Sequence, residues 1–186
     1  MKIKIAPGTL LLTLLLALQN DVMLPTTLLA ALFHELGHLL AARLLHIRIA
    51  RLEIDLLGAK LYPAGLLPSF GAEFCLAVAG PLASLLLPLC LYRVSGKFAA
   101  ALSLASLSLA LFNLLPIGEF DGGRMLHATL SAHLADGVAH RVLSVTTYLS
   151  LLFLFCLSSC LLLRYGQNLS LAVLSATLFA KFFLTD

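Results

Sequence analysis

The sequence predicts an all-α, polytopic membrane protein with about six transmembrane helices and a short β-hairpin between the second and third spans. Two observations carry that reading. Of 186 residues, 61% are hydrophobic and 11% charged, whereas a soluble domain has roughly 25% charged residues. The apolar residues also fall into six blocks, Ile5 to Leu18, Pro25 to Leu45, Leu66 to Tyr92, Phe98 to Leu115, Val138 to Leu163 and Leu169 to Leu184. A hydrocarbon core of about 30 Å needs about 20 such residues, so the first and last blocks are the short ones. The length suits one intramembrane domain over residues 1–186.

Charge excludes one function class and orients the chain. Twelve Lys and Arg against nine Asp and Glu leave a net charge of +3 with no basic run, so nucleic acid is not expected as a partner. With the N-terminus cytoplasmic, Lys2, Lys4, Arg43, Arg48, Arg51, Lys60, Arg124, Arg141 and Lys181 fall inside and Arg93, Lys97 and Arg164 outside. This bias matches the positive-inside rule and places both termini on the inner side. Lys2 and Lys4 ahead of an apolar run resemble a signal peptide. Gln19, Asn20 and Asp21 follow without a small-residue cleavage site, so the run is read as an uncleaved first span. The four cysteines, at positions 75, 90, 156 and 160, form no CxxC pair and are read as helix packers.

Two connectors depart from simple loops. From Ala50 to Leu56 apolar and charged residues alternate, the period of a half-buried strand, and Gly58 permits a turn into Ala59 to Tyr62. From Pro116 to Asp121 a proline breaks an apolar helix ahead of Gly122 and Gly123. Gly80 and Pro81 are read as a kink in the third span.

Chemistry concentrates in the second block. His34, Glu35, Leu36, Gly37 and His38 form HExxH. Residues four apart share a helix face, so both imidazoles can hold one ion. Glu35 lies about 100° round the helix, placed to act as a general base without being a ligand. Each ionisable residue in an apolar span costs about 2.5 kcal/mol or more, which argues against three of them without partners. Counting back from Arg43 at about 1.5 Å per residue puts His38 about 7 Å and His34 about 13 Å below the inner interface. A hydrolytic zinc site takes a third protein ligand. His46, Glu53, Asp55, Glu73, Glu119, Asp121, His127, His133 and His140 are candidates that spacing does not separate. Asp121, after the helix break and before two glycines, is the most telling; its other reading is a helix N-cap, which does not exclude a ligand role. Ser103, Ser106 and Ser108 are read as helix packing.

HELGH, followed by N-x-x-P-x-x-x-x-D-G-G at Asn113, Pro116, Asp121, Gly122 and Gly123, resembles the site-2 protease family of intramembrane zinc metalloproteases. Gly80 and Pro81 are similar to that family's Gly-Pro motif. The resemblance implies zinc (Zn2+) held by His34, His38 and Asp121, Glu35 as catalytic base and Asn113 engaging substrate. It implies cleavage of a membrane-anchored protein substrate in or near its transmembrane segment, in a bacterial cell membrane, with a separate membrane protein as possible regulator. The compact form is similar to the stage IV sporulation factor B subgroup without its C-terminal regulatory domain. Gly118, Glu119 and Ser84 stand where the family often has a proline in the loop and an Asn after Gly-Pro. A metal-ion transporter and a non-catalytic binder on a protease scaffold are the alternatives. The alternating strand from Ala50 to Leu56 is expected either to pair with unwound substrate or, as an amphipathic surface strand, only to anchor its loop.

Overall fold

The computed structural model describes residues 2–5, 22–55, 58–65, 69–165 and 175–180. In chain order the elements are β1 (Lys2–Ile5), α1 (Met23–Leu44), β2 (Ile49–Asp55), β3 (Gly58–Pro63), α2 (Phe70–Leu91), α3 (Lys97–Asn113), α4 (Asp121–Ser131) and α5 (Asp136–Tyr165). Residues 175–180 are also helical. Helix α1, helix α2 and Asp136–Arg164 of α5 are long and apolar enough to cross a bilayer, and α3 is a shorter apolar helix. Four of the six predicted blocks thus correspond to helices. Apart from Ile5, which ends β1, the first block lies outside the described residues, as does the sixth except for 175–180.

Helix α1 is built for lipid. Thr26, Ala30, His34, His38 and Ala42, each four residues after the last, form its buried stripe. Leu28, Leu32, Leu36, Leu40 and Leu44, on another face, are all at least 47% exposed. A helix in water would reverse this arrangement. Lipid is as apolar as leucine, so spans associate through small residues and polar contacts. Helix α2 packs against α1, α3 and α4, and α1 also meets α3. At the α1–α2 contact a methyl on Gly37 would stand 2.5 Å from the Ala79 carbonyl oxygen and 2.7 Å from Ala83 Cβ. Two hydrogen bonds of serine hydroxyls join helices: Ser106 Oγ donates to the Ser84 carbonyl at 2.8 Å, and the Ser158 and Ser175 hydroxyls lie 3.0 Å apart. Such bonds contribute about 0.6 kcal/mol on average and up to about 1.7.

The four cysteines are not packers. All are free and exposed, on the outer faces of their helices. Helix α2 runs continuously through Pro81 and Pro88.

The expected hairpin is present as β2 and β3, paired antiparallel and closing at Asp55 and Gly58. A third strand joins it. Strand β1 pairs in parallel with β2, from Lys2 opposite Arg51 to Ile5 opposite Ile54, giving the order β1-β2-β3. This corrects the expectation that the strand from Ala50 to Leu56 receives substrate, because neighbours occupy both of its sides. The outer edges belong to β1 and β3.

Between α3 and α4 the chain leaves the helix, as Pro116 predicts. Ile117 and Phe120 from this loop are buried with Leu151 and Leu154 of α5 and Leu178. The Gly118 N–H donates to Thr147 Oγ1 of α5 at 3.0 Å. The α3–α4 loop is thereby tied to α5. Helix α4 is short and polar enough to have escaped the search for apolar blocks.

Helix α1 ends in a reversal. The His46 N–H donates to the Arg43 carbonyl at 3.2 Å and the Ile47 N–H to Ala42 at 2.8 Å, the Schellman pattern that usually places glycine at the left-handed position. Here His46 occupies it, with φ of 56°. His46→Gly is expected to raise unfolding stability in detergent by about 0.5–1 kcal/mol, relieving the Cβ crowding of that conformation. Unchanged or lower stability in equilibrium denaturation would contradict this assignment.

Candidate metal centre

Two histidines and one aspartate, distant in sequence, meet between α1, α2 and α4. The four-residue spacing of HExxH turns both imidazoles toward α2, where His34 and His38 are each 4% exposed. Asp121 is the first residue of α4, 7% exposed. Its Oδ2 lies 3.1 Å from His34 Nε2 and 3.2 Å from His38 Nε2, and the two Nε2 atoms are 3.2 Å apart. Asp121 Oδ1 faces Arg124, whose guanidinium lies 3.7 Å away. The helix-cap alternative for Asp121 does not hold, since Phe120 occupies the N-cap and no side chain caps the helix.

This triangle suits a tetrahedral ion. Donors about 2.0–2.1 Å from zinc stand about 3.3 Å apart in tetrahedral geometry, close to the three edges observed. The second ring nitrogens are engaged behind. His38 Nδ1 is 2.8 Å from the Leu76 carbonyl, which can only accept, so Nδ1 carries the hydrogen and Nε2 presents its lone pair. His34 Nδ1 is 3.0 Å from Ser84 Oγ. Metal-binding histidines are held in this way. His34, Glu35 and His38 each offer a ligating atom within 4.8 Å of the others. The Glu35 carboxylate is therefore near enough to serve a water on the ion.

Glycine makes the space. A methyl on Gly80 would overlap His38 Nε2 and stand 2.7 Å from His34 Nε2. The Gly-Pro motif, read from the sequence as a kink, instead opens α2 opposite the ligating atoms. Gly122 and Gly123 let α4 start against the loop backbone, since side chains there would strike the Leu114 and Ile117 carbonyls.

The remaining candidates are elsewhere. His46 follows the C-cap of α1 in the left-handed conformation, Glu73 is in the first turn of α2, and Glu119, His133 and His140 are exposed. His127 packs against His140, ring centroids 6.1 Å apart. Side chains of Glu53 and Asp55 lie outside the described residues. Asn113 ends α3, its amide donating to the Leu109 carbonyl at 3.0 Å. It lines an apolar cavity of about 350 Å³ with Thr27, Leu104, Phe112 and Phe120. Sequence reasoning missed Ser84 as a partner of His34; its position one helical turn after Gly80 was the available signal.

Gly80→Ala is expected to eliminate stoichiometric zinc from purified protein by elemental analysis. Gly118→Ala, whose methyl would meet nothing closer than 3.8 Å, should retain it. Full zinc in Gly80→Ala would contradict the geometry.

Comparisons with known proteins place the chain in a family. A family model described as Peptidase M50B-like matches residues 8–118, and one described as Peptidase family M50 matches residues 94–157. The first range contains HELGH and the second contains Asn113 to Asp121. A zinc metalloprotease of Methanocaldococcus jannaschii is 33% identical over 111 residues, 55% of this chain and 32% of that protein. The chain thus spans about a third of that curated relative's length. The solved structure of a site-2 protease from Methanocaldococcus jannaschii superposes with a TM-score of 0.68 at 23% identity, covering 98% of this chain and 89% of that one. The fold is that of a helical membrane protease, and with one family model matching more than half of its residues the chain belongs to the M50B-like peptidases.

Proposed function

We propose that this protein is an intramembrane zinc endopeptidase that hydrolyses a peptide bond in or near the transmembrane segment of a membrane-anchored protein. The observation that carries the reading is the meeting of Asp121 Oδ2 with both HExxH histidines at 3.1 and 3.2 Å, beside a glutamate within the same cluster. His34, His38 and Asp121 would hold the ion. Zinc held there supplies a Lewis acid and brings the pKa of a coordinated water to about 7.

The chain's own groups account for the proton movements. A Glu35 carboxylate oxygen accepts the proton of the attacking water and then donates it to the leaving nitrogen. Asn113, with an amide that can hydrogen-bond an extended backbone, engages the substrate. The apolar cavity beside it accommodates a substrate side chain. Non-helical backbone is tolerated at membrane depth where protein covers it or water reaches it, which suits the loop between Asn113 and Asp121. Six spans, inner-side termini, a bacterial cell membrane and a separate regulatory membrane protein complete the proposal.

A metal transporter needs further ligands along a path. Among the described residues, one group of three or more clustered metal-ligating side chains is present, which favours a fixed hydrolytic site over a permeation pathway. Retention of Glu35 favours catalysis over an inactive scaffold.

Coexpression with single-span candidate substrates tests the proposal. The parent should yield a shortened product, and Glu35→Gln should reduce its formation by about 100-fold or more while zinc content is unchanged. Equal product from both proteins would remove Glu35 as the base. Asn113→Ala should raise KM more than it lowers kcat; an unchanged KM would dissociate that side chain from substrate engagement.

A further inference from the structure

Ser84 is wholly buried, and the family resemblance marks it only as a departure from asparagine. Its hydroxyl lies 3.0 Å from His34 Nδ1. A histidine that ligates through Nε2 carries its hydrogen on Nδ1, so Ser84 Oγ accepts that hydrogen and selects the ligating tautomer. The backbone of the same residue is also unusual. In a helix the carbonyl of residue 84 would receive the N–H of residue 88, but that residue is Pro88, which has none. The missing donor comes from α3: the Ser106 hydroxyl, itself buried, donates to the Ser84 carbonyl at 2.8 Å.

We infer that Ser84, Ser106 and Pro88 form one positioning device for His34, in which the carbonyl freed by Pro88 is captured by Ser106 so that α3 holds the Ser84 hydroxyl against the imidazole. Ser84 and Ser106 are positioning residues and touch neither metal nor substrate. The inference rests on the metal site proposed above and assigns to α3 a share in metal affinity that its lack of ligands would not suggest. Pro88 is the reason Ser106 matters: were residue 88 able to donate, the helix would satisfy Ser84 itself.

The test is zinc affinity of the purified full chain by chelator competition, with the visible spectrum of the cobalt-substituted protein as a second readout. Ser84→Ala should weaken zinc about 10- to 100-fold and alter the cobalt spectrum, and Ser84→Thr, which keeps the hydroxyl, should restore both. Ser106→Ala should weaken zinc about 3- to 15-fold, the loss of one interhelical hydrogen bond. In a Pro88→Ala background, where residue 88 gains an N–H, Ser106→Ala should cost less than twofold. Parent-like affinity and spectrum in Ser84→Ala, or an equal Ser106→Ala effect in both backgrounds, would overturn the inference while leaving the metal site standing. A parent that takes up no stoichiometric zinc would overturn the metal site and this inference with it.

Discussion

The contact of Asp121 with His34 and His38 sets a carboxylate and two imidazoles among apolar helices, where an isolated ionisable group is costly. Each finds its compensation in the others, and the rest of the architecture brings them together. Asp121 comes from a point 87 residues after His34, so the contact depends on the packing of α1, α2 and α4 and on a loop that cannot drift. Ile117 and Phe120 sink into the cluster with Leu151 and Leu154, while Thr147 holds the Gly118 N–H. Gly122 and Gly123 remove the side chains that would push α4 away.

Helix α2 contributes no ligand and yet shapes the centre most. Along one side it offers the Leu76 carbonyl to His38, the bare backbone of Gly80 to both ligating nitrogens and the Ser84 hydroxyl to His34. These residues are spaced four apart, one turn at a time. Pro88 cannot donate to the Ser84 carbonyl of α2, and that carbonyl is taken by the Ser106 hydroxyl of α3. That is how a span in lipid, with no water to supply partners, can support polar chemistry.

Much of this was legible in the sequence because it is local. Six apolar blocks and HExxH follow from composition and a four-residue spacing. Four blocks correspond to helices, and both histidines face inward. Asp121 stood among nine candidate ligands, since no spacing within the chain reports an approach between residues so far apart; the helix break before it and the two glycines after it made it the most telling, and the resemblance of the N-x-x-P-x-x-x-x-D-G-G stretch gave it the ligand role. Strand β1 was hidden because Lys2 to Ile5 resembles the charged flank of an apolar span. Its pairing with β2 is what overturned the strand-addition expectation. The cysteines, read as packers, are exposed, since in lipid a helix's outer face is as apolar as its inner one. Gly80 and Ser84 show the same difficulty: the void and the hydrogen bond depend on what another helix places opposite them.

Zinc-edge X-ray absorption on the purified protein tests the central claim most directly. The account predicts one ion per chain, with two imidazole nitrogens and oxygen donors at about 2.0–2.2 Å and no sulfur. A sulfur shell near 2.3 Å, or imidazole scattering from fewer than two rings, would contradict it.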